Sequence, residues 1–172
     1  MLSTPKGITV ERDTHFIIDT PENITATYKR QMLDLIDLGG QVKRVRAEPG
    51  IENAQLIGLT VYQTQVIATC CLKNPLHDYK QQIFKKAQAS RSPDLYNVEL
   101  GYITTHPDFE GEKYCQHLLK EFFFKISHLS MFATTRKPAM KHILEKYGFY
   151  QLGVRYGDQL DLELMLYEGA FG

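Results

Sequence analysis

Charge of one sign is what this 172-residue sequence most plainly lacks: 20 Lys and Arg offset 20 Asp and Glu, so net charge gives no argument for nucleic acid or an anionic membrane as partner. Cysteine is scarce too. Cys70 and Cys71 are adjacent in an apolar run and Cys115 stands alone, which supplies neither a disulfide framework nor metal-ligand spacing and fits a reducing, cytoplasmic setting. The histidines show no metal spacing and no triad. No stretch approaches the ~20 apolar residues of a membrane span, and the N-terminal MLSTPKGITV lacks a long apolar run. Repeats and low-complexity tracts are absent, and Gly111 is an isolated glycine far from a GxGxxG fingerprint. A single domain over 1–172, long enough to bury most of its apolar surface around one core, is the expectation.

What is present reads as alternating strands and helices. Ile8 to Val10 and Phe16 to Ile18 are short extended candidates. Thr20 offers an N-cap with Pro21 at the first helical position, and Tyr28, Met32, Leu35, Ile36 and Leu38 form an apolar face that Gly39-Gly40 ends. Gln41 to Asn53 reads as a short helix followed by a loop at Pro49-Gly50. Gln55 to Tyr62 and Val66 to Leu72 suit an antiparallel hairpin. Asp78 to Ser90, with Tyr79, Ile83, Phe84 and Ala87 at helical spacing, reads as an exposed helical insertion. Ser130 to Thr135 is a buried strand. Pro138 to Tyr147 is a helix with Met140, Ile143, Leu144 and Tyr147 inward, closed by a left-handed Gly148. Phe149 to Tyr156 and Leu160 to Tyr167 are two strands around a Gly157-Asp158 turn. The fold class is therefore α/β, a central mixed and mostly antiparallel twisted sheet with helices on both faces.

The organising stretch runs VELGYITTHPDFEGEKYCQHLLKEFF, from Val98 to Phe123. Val98 to Thr105 are strand formers, with Glu99, Gly101, Ile103 and Thr105 on one face by alternation and Leu100, Tyr102 and Thr104 on the other. Pro107 ends the strand. From Gly111 onward Tyr114, Leu118, Phe122 and Ile126 recur every four positions, flanked by Cys115, Leu119 and Phe123, the stripe of a helix lying on a sheet. The first N–H groups of such a helix have no intrahelical partner and commonly receive a phosphate.

The stretch resembles the cofactor-binding motif of the GNAT superfamily of N-acetyltransferases. Glu99, Leu100, Ile103, Thr105 and Pro107 fall on the family's strand positions. Its turn departs from the pattern: Glu110 stands where the family has Arg or Gln, Lys113 where it has Gly, and Cys115 where it has Gly or Ala. A second segment, Lys137-Pro138-Ala139-Met140 through Glu145-Lys146-Tyr147-Gly148-Phe149, is similar to the family's later helix ending in Glu-Lys-x-Gly-Phe. The similar regions run from about Gln55 to Leu166. The resemblance implies a GNAT-like fold and acetyl-CoA as co-substrate, bound along Ile103, Thr104 and Thr105, the turn Glu110, Gly111, Glu112 and Lys113, the helix start at Tyr114 and Cys115, and Lys137.

The activity implied is acetyl transfer to an amine, which needs a base for the amine proton, an oxyanion donor and reprotonation of the thiolate. The resemblance puts Glu99 in the role of base and the backbone N–H of Thr105 or Thr104 at the oxyanion. The family's thiolate-protonating Tyr position holds Leu144 here, and Tyr147 points another way round the helix. Cys115 reads either as a nucleophile with a lowered pKa in the first helical turn or as a small residue packing under the cofactor. Lys43, Arg44 and Arg46 read as a solvated face or as an attractor for an acidic acceptor. Glu110 and Glu112 oppose a pyrophosphate by up to ~1 kcal/mol each, and Lys113 offsets one of them. Two functional classes stand: an N-acyltransferase acting on a small-molecule or peptide amine, as a monomer or homodimer, or a GNAT-fold binding protein that has lost cofactor affinity.

Overall fold

The structure, a computed structural model, describes residues 13–169; the extended candidate at Ile8 to Val10 lies outside them. Among the described residues seven strands form a sheet in the order β1-β2-β3-β4-β5-β7-β6: β1 Thr14–Asp19, β2 Leu56–Tyr62, β3 Gln65–Lys73, β4 Val98–Thr105, β5 Met131–Thr135, β6 Tyr150–Gln151 and β7 Glu163–Tyr167. The helices are α1 Ala26–Gly39, α2 Arg44–Glu52, α3 His77–Lys86, α4 Tyr114–Ile126 and α5 Pro138–Lys146. β1–β2, β5–β7 and β6–β7 are antiparallel and β4–β5 is parallel, the mixed sheet the sequence implies. No described helix is long and apolar enough to cross a membrane.

Two compact units divide the chain. One holds the chain up to Cys71 together with Tyr102–Phe122, and the other holds Leu72–Gly101 and the chain from Phe123. In the first unit Ile57, Leu59 and Val61 of β2 join Met32, Leu33, Leu35 and Ile36 of α1 and Ala47 and Ile51 of α2 in one cluster. The intervening Gly58 faces the other way, where a Cβ would stand 2.7 Å from the Phe122 ring. Strand alternation thus places helices on both faces there. The cap of α1 is Thr25, whose side chain accepts the Tyr28 N–H, and Thr20 instead opens a one-turn 3-10 helix at Pro21–Asn23 without a side-chain cap. Pro49 and Gly50, read as a loop, lie in the last turn of α2. Gly50 permits that packing, because a Cβ there would lie 2.4 Å from the Tyr102 hydroxyl.

The second unit corrects two expectations. α3 is no exposed insertion: Ile83, Phe84 and Ala87 are buried with Tyr96, Phe132, Tyr156, Leu164 and Leu166, and the Phe84 ring meets Phe132 edge-on at 5.7 Å. The strand expected over Phe149 to Tyr156 shrinks to Tyr150–Gln151, since Gly153 adopts φ 82° and turns the chain toward the end of α3. Beyond it only a bridge joins Tyr156 to Leu162. Gly148, as its position after α5 implies, is left-handed at φ 97°.

β4 carries the main departure from simple alternation. Tyr102 has φ 50°, a left-handed residue inside a strand, which is bulge geometry. From the bulge onward Tyr102 and Thr104 still share one face and Thr105 takes the other. Thr104 Oγ1 lies against Gly39 of α1 and the Tyr102 hydroxyl against Gly50 of α2, whereas the Thr105 side chain is hydrogen-bonded with Cys115 at the start of α4.

Candidate functional site

The turn into α4 is built by aromatic anchoring and two left-handed residues. Pro107–Phe109 forms a single 3-10 turn in which His106 Nδ1 accepts the Asp108 N–H at 3.1 Å. Phe109 then packs its ring against Tyr62, His106 and Tyr114, with centroids 5.4, 5.8 and 5.9 Å away. Glu110, Gly111, Glu112 and Lys113 are exposed. Gly111 at φ 80° and Lys113 at φ 64° both adopt the left-handed conformation. α4 starts at Tyr114, later than the sequence stripe implies, with the His117 N–H donating to the Lys113 carbonyl at 2.9 Å. Lys113 thus holds a backbone conformation that glycine adopts without strain. The open backbone of this turn, with the free end of a 13-residue helix behind it, suits a pyrophosphate. Glu112 and Tyr62 add their charge effects to burial in raising the Tyr114 pKa.

Burial pushes the Cys115 thiol up to about 11 against the opposing hydrogen bond with Thr105, which favours the packed small side chain over the nucleophile. Cys70 is driven up as well, by burial and by its neighbours Cys115 and Cys71.

In the second unit, Glu99 is the centre of a buried polar cluster. It is 3% exposed and is the last β4 residue in the parallel ladder, which consists of Val98↔Met131 and Glu99↔Phe132. Tyr79 of α3 donates its hydroxyl to Glu99 Oε1 at 3.1 Å. Lys73, at the end of β3, brings Nζ to 3.2 Å from Oε2. That approach is an ion pair without hydrogen-bond alignment, since Oε2 is buried and has no hydrogen bond. Burial, then the Glu99 charge, drives the Tyr79 hydroxyl far above its ordinary range, although part of the ring is open to solvent. Tyr156, close enough to feel the same carboxylate, is pushed up to about 12, chiefly by burial. Hydrogen bonding with Thr134 opposes both shifts.

The sequence-expected residues thus fall in two places. Ile103, Thr104, Thr105, Glu110, Gly111, Glu112, Lys113, Tyr114 and Cys115 belong to the first unit, and Glu99 and Lys137 to the second. Lys137 is exposed at the N-cap of α5, its N–H donating to Thr135 Oγ1 at 3.1 Å. Leu144 is buried core and Tyr147 stacks near Phe123 at 5.0 Å, so neither presents a hydroxyl at the family's Tyr position. Arg44 is taken by Asp34 of α1. Sequence reasoning missed Lys73, a single cation closing an apolar strand, as well as the hydroxyl role of Tyr79 and the anchor Phe109.

No protein-family model and no curated protein matches the sequence. Solved structures do. Escherichia coli ElaA aligns with a TM-score of 0.65 at 13% identity, over 90% of this chain and 99% of that one. A Pseudomonas aeruginosa acyl-CoA N-acyltransferase gives 0.65 at 10%, over 90% and 99%. A GNAT family acetyltransferase from Elizabethkingia anophelis with acetyl-CoA bound gives 0.59 at 15%, over 91% and 98%. At these identities the likeness establishes architecture: the fold is that of the GNAT N-acetyltransferases.

Proposed function

We propose that this protein is an N-acyltransferase that moves an acetyl group from acetyl-CoA to an amine of a small molecule or peptide. The observation that carries the reading is the pair of left-handed residues, Gly111 and Lys113, leading into the α4 N-terminus at the place where the sequence resembles the pyrophosphate motif. Acetyl-CoA supplies the activated acyl thioester. The backbone N–H groups of the turn and first helical turn hold the pyrophosphate, with the Lys113 ammonium beside them. The N–H of Thr105 or Thr104 steadies charge on the acyl oxygen. Glu99 takes the amine proton, its carboxylate held by Tyr79 and Lys73. A tyrosine held so far above its ordinary range is a poor acid toward a thiolate, so the proton taken by Glu99 is the one that returns. Three free cysteines suit a reducing, cytoplasmic setting.

Acetyl-CoA at 100 times its dissociation constant should stabilise the protein by ~2.7 kcal/mol, visible as a rise in melting temperature. No rise, together with no heat in calorimetry, sinks the proposal. Glu110 and Glu112 at the turn and the buried Leu144 favour a second reading, a GNAT-fold binding protein. Release of free thiol from acetyl-CoA in the presence of a panel of amines separates the two.

A further inference from the structure

We propose that Lys73 is itself an acyl acceptor, so that the protein acetylates its own half-buried amine. This rests on the acyltransferase reading above. An incoming acceptor amine must come within hydrogen-bonding reach of the carboxylate that takes its proton, and an amine of the chain already stands there. Lys73 Nζ is 3.2 Å from Glu99 Oε2, with the lysine side chain 17% exposed and the glutamate side chain 4%. The oxygen it faces has no hydrogen bond. The stem is led to this point over Gly101, where a Cβ would lie 2.9 Å from Lys73 Cδ, and the ammonium lies 5.8 Å from the Tyr79 ring centroid.

Lys141 makes an internal contrast. It meets another buried carboxylate, Glu163, at 3.1 Å, but that group also accepts from Arg155 at 2.9 Å and is held by two cations. It lies in the β5–β7 ladder opposite Thr135, away from β4. Among the described residues Glu99 faces one cation, Lys73.

The step balances with acetyl-CoA as the only co-reactant. One ammonium proton of Lys73 passes to Glu99, and the neutral amine attacks the thioester carbonyl. The C–N bond forms and the C–S bond breaks. Glu99 returns its proton to the departing thiolate, which leaves as free thiol, and the second nitrogen proton is lost to solvent. The acetylated lysine no longer neutralises Glu99, which frees that carboxylate for the ammonium of a second acceptor.

The test is incubation of the full chain with acetyl-CoA and no added amine, followed over time by peptide mass spectrometry, with melting temperature read in parallel. Acetylation at Lys73 should run at least about tenfold ahead of Lys141 and of exposed Lys113, as expected for an oriented intramolecular amine. Unfolding in urea before acetyl-CoA is added should erase that preference. Glu99→Gln should slow it by ~100-fold. Gly101→Ala, whose Cβ would press on Lys73 Cδ at 2.9 Å and meet Lys73 Nζ at 3.6 Å and Glu99 Oε1 at 3.9 Å in ordinary contact, should slow it by displacing the Lys73 stem while the acetyl-CoA-induced rise in melting temperature persists. A melting temperature that rises with Lys73 no faster than Lys141 overturns the self-acylation and leaves the acyltransferase reading standing. Neither a rise nor acetylation overturns both.

Discussion

A Cβ built on Gly153 would lie 1.9 Å from the carbonyl oxygen of Ala87, the closest such approach of any described glycine to backbone. That carbonyl ends α3 and accepts the Val154 N–H at 2.7 Å, so the segment after β6 supplies the acceptor with a donor it would otherwise lack. Gly153 is also left-handed at φ 82°. Gly153→Ala combines backbone strain with a clash that no side-chain rotation relieves, and should destabilise by about 2–4 kcal/mol. Urea denaturation measures it, and a loss under about 1 kcal/mol would show that the approach relaxes freely.

Lys113 holds φ 64° with a Cβ. Such a residue carries a cost of roughly 1–2 kcal/mol, of which glycine's extra chain entropy returns about 0.5–1. Lys113→Gly should therefore raise stability by about 0.5–1 kcal/mol, whereas Lys113→Ala, which keeps the Cβ, should leave stability nearly unchanged and weaken coenzyme A binding through the lost charge. Equal stability of the two variants would mean that the backbone is not strained there.

Glu110 lies exposed beside the same turn. If backbone N–H groups hold the pyrophosphate, Glu110→Arg removes a repulsion and adds an attraction. Coenzyme A binding should tighten, with a gain that shrinks as salt is raised toward a Debye length of ~3 Å at 1 M. Unchanged affinity in low salt places Glu110 away from the phosphates.

How far the sequence discloses this molecule depends on whether a feature is local. The α4 stripe and the left-handed Gly148 follow from periodicity and from residues whose preferences are intrinsic. The ion pair of Lys73 with Glu99 does not, because it joins two strands whose register and facing are set by the whole sheet. The bulge at Tyr102 is invisible for a related reason. Tyrosine has no preference for positive φ, and that conformation is held by tertiary contacts: Thr69 Oγ1 donates to the Tyr102 carbonyl at 2.7 Å and the ring lies over Gly50. The burial of α3 is hidden in its sequence because its buried set, Lys80, Ile83 and Phe84, is short and includes a lysine.

Glu163 links stability to acid pH. Burial alone would raise its pKa, but hydrogen bonds from Lys141 and Arg155 outweigh burial and leave it below the usual carboxylate value. A depressed folded-state pKa contributes stability that is present above the unfolded value of about 4.3 and is lost as pH falls through the folded one. Glu163→Gln should therefore be less stable than wild type at pH 7, and the difference should close below about pH 4. A gap that persists into that range would place the effect in packing instead.

Glu99→Gln tests the base, and the structure changes how the result must be read. Replacing a buried carboxylate beside Lys73 leaves an ammonium without its counter-charge, so some loss of stability follows whether or not Glu99 has a chemical role. Melting temperature cannot separate the roles; the pH profile can. As a base, Glu99 matters most where the acceptor is an ammonium, so turnover should fall by ~100-fold or more at neutral pH. The wild-type to mutant ratio should then decline as pH approaches the acceptor amine's own pKa, since an amine already neutral in solution has no need of the carboxylate. A purely structural Glu99 predicts a ratio that stays flat with pH. The double variant Glu99→Gln, Lys73→Met removes the stranded charge, so stability should recover relative to Glu99→Gln while the pH-dependent defect remains. Recovery of turnover together with stability would take Glu99 out of the proton-transfer step and leave it as the partner that holds Lys73 in place.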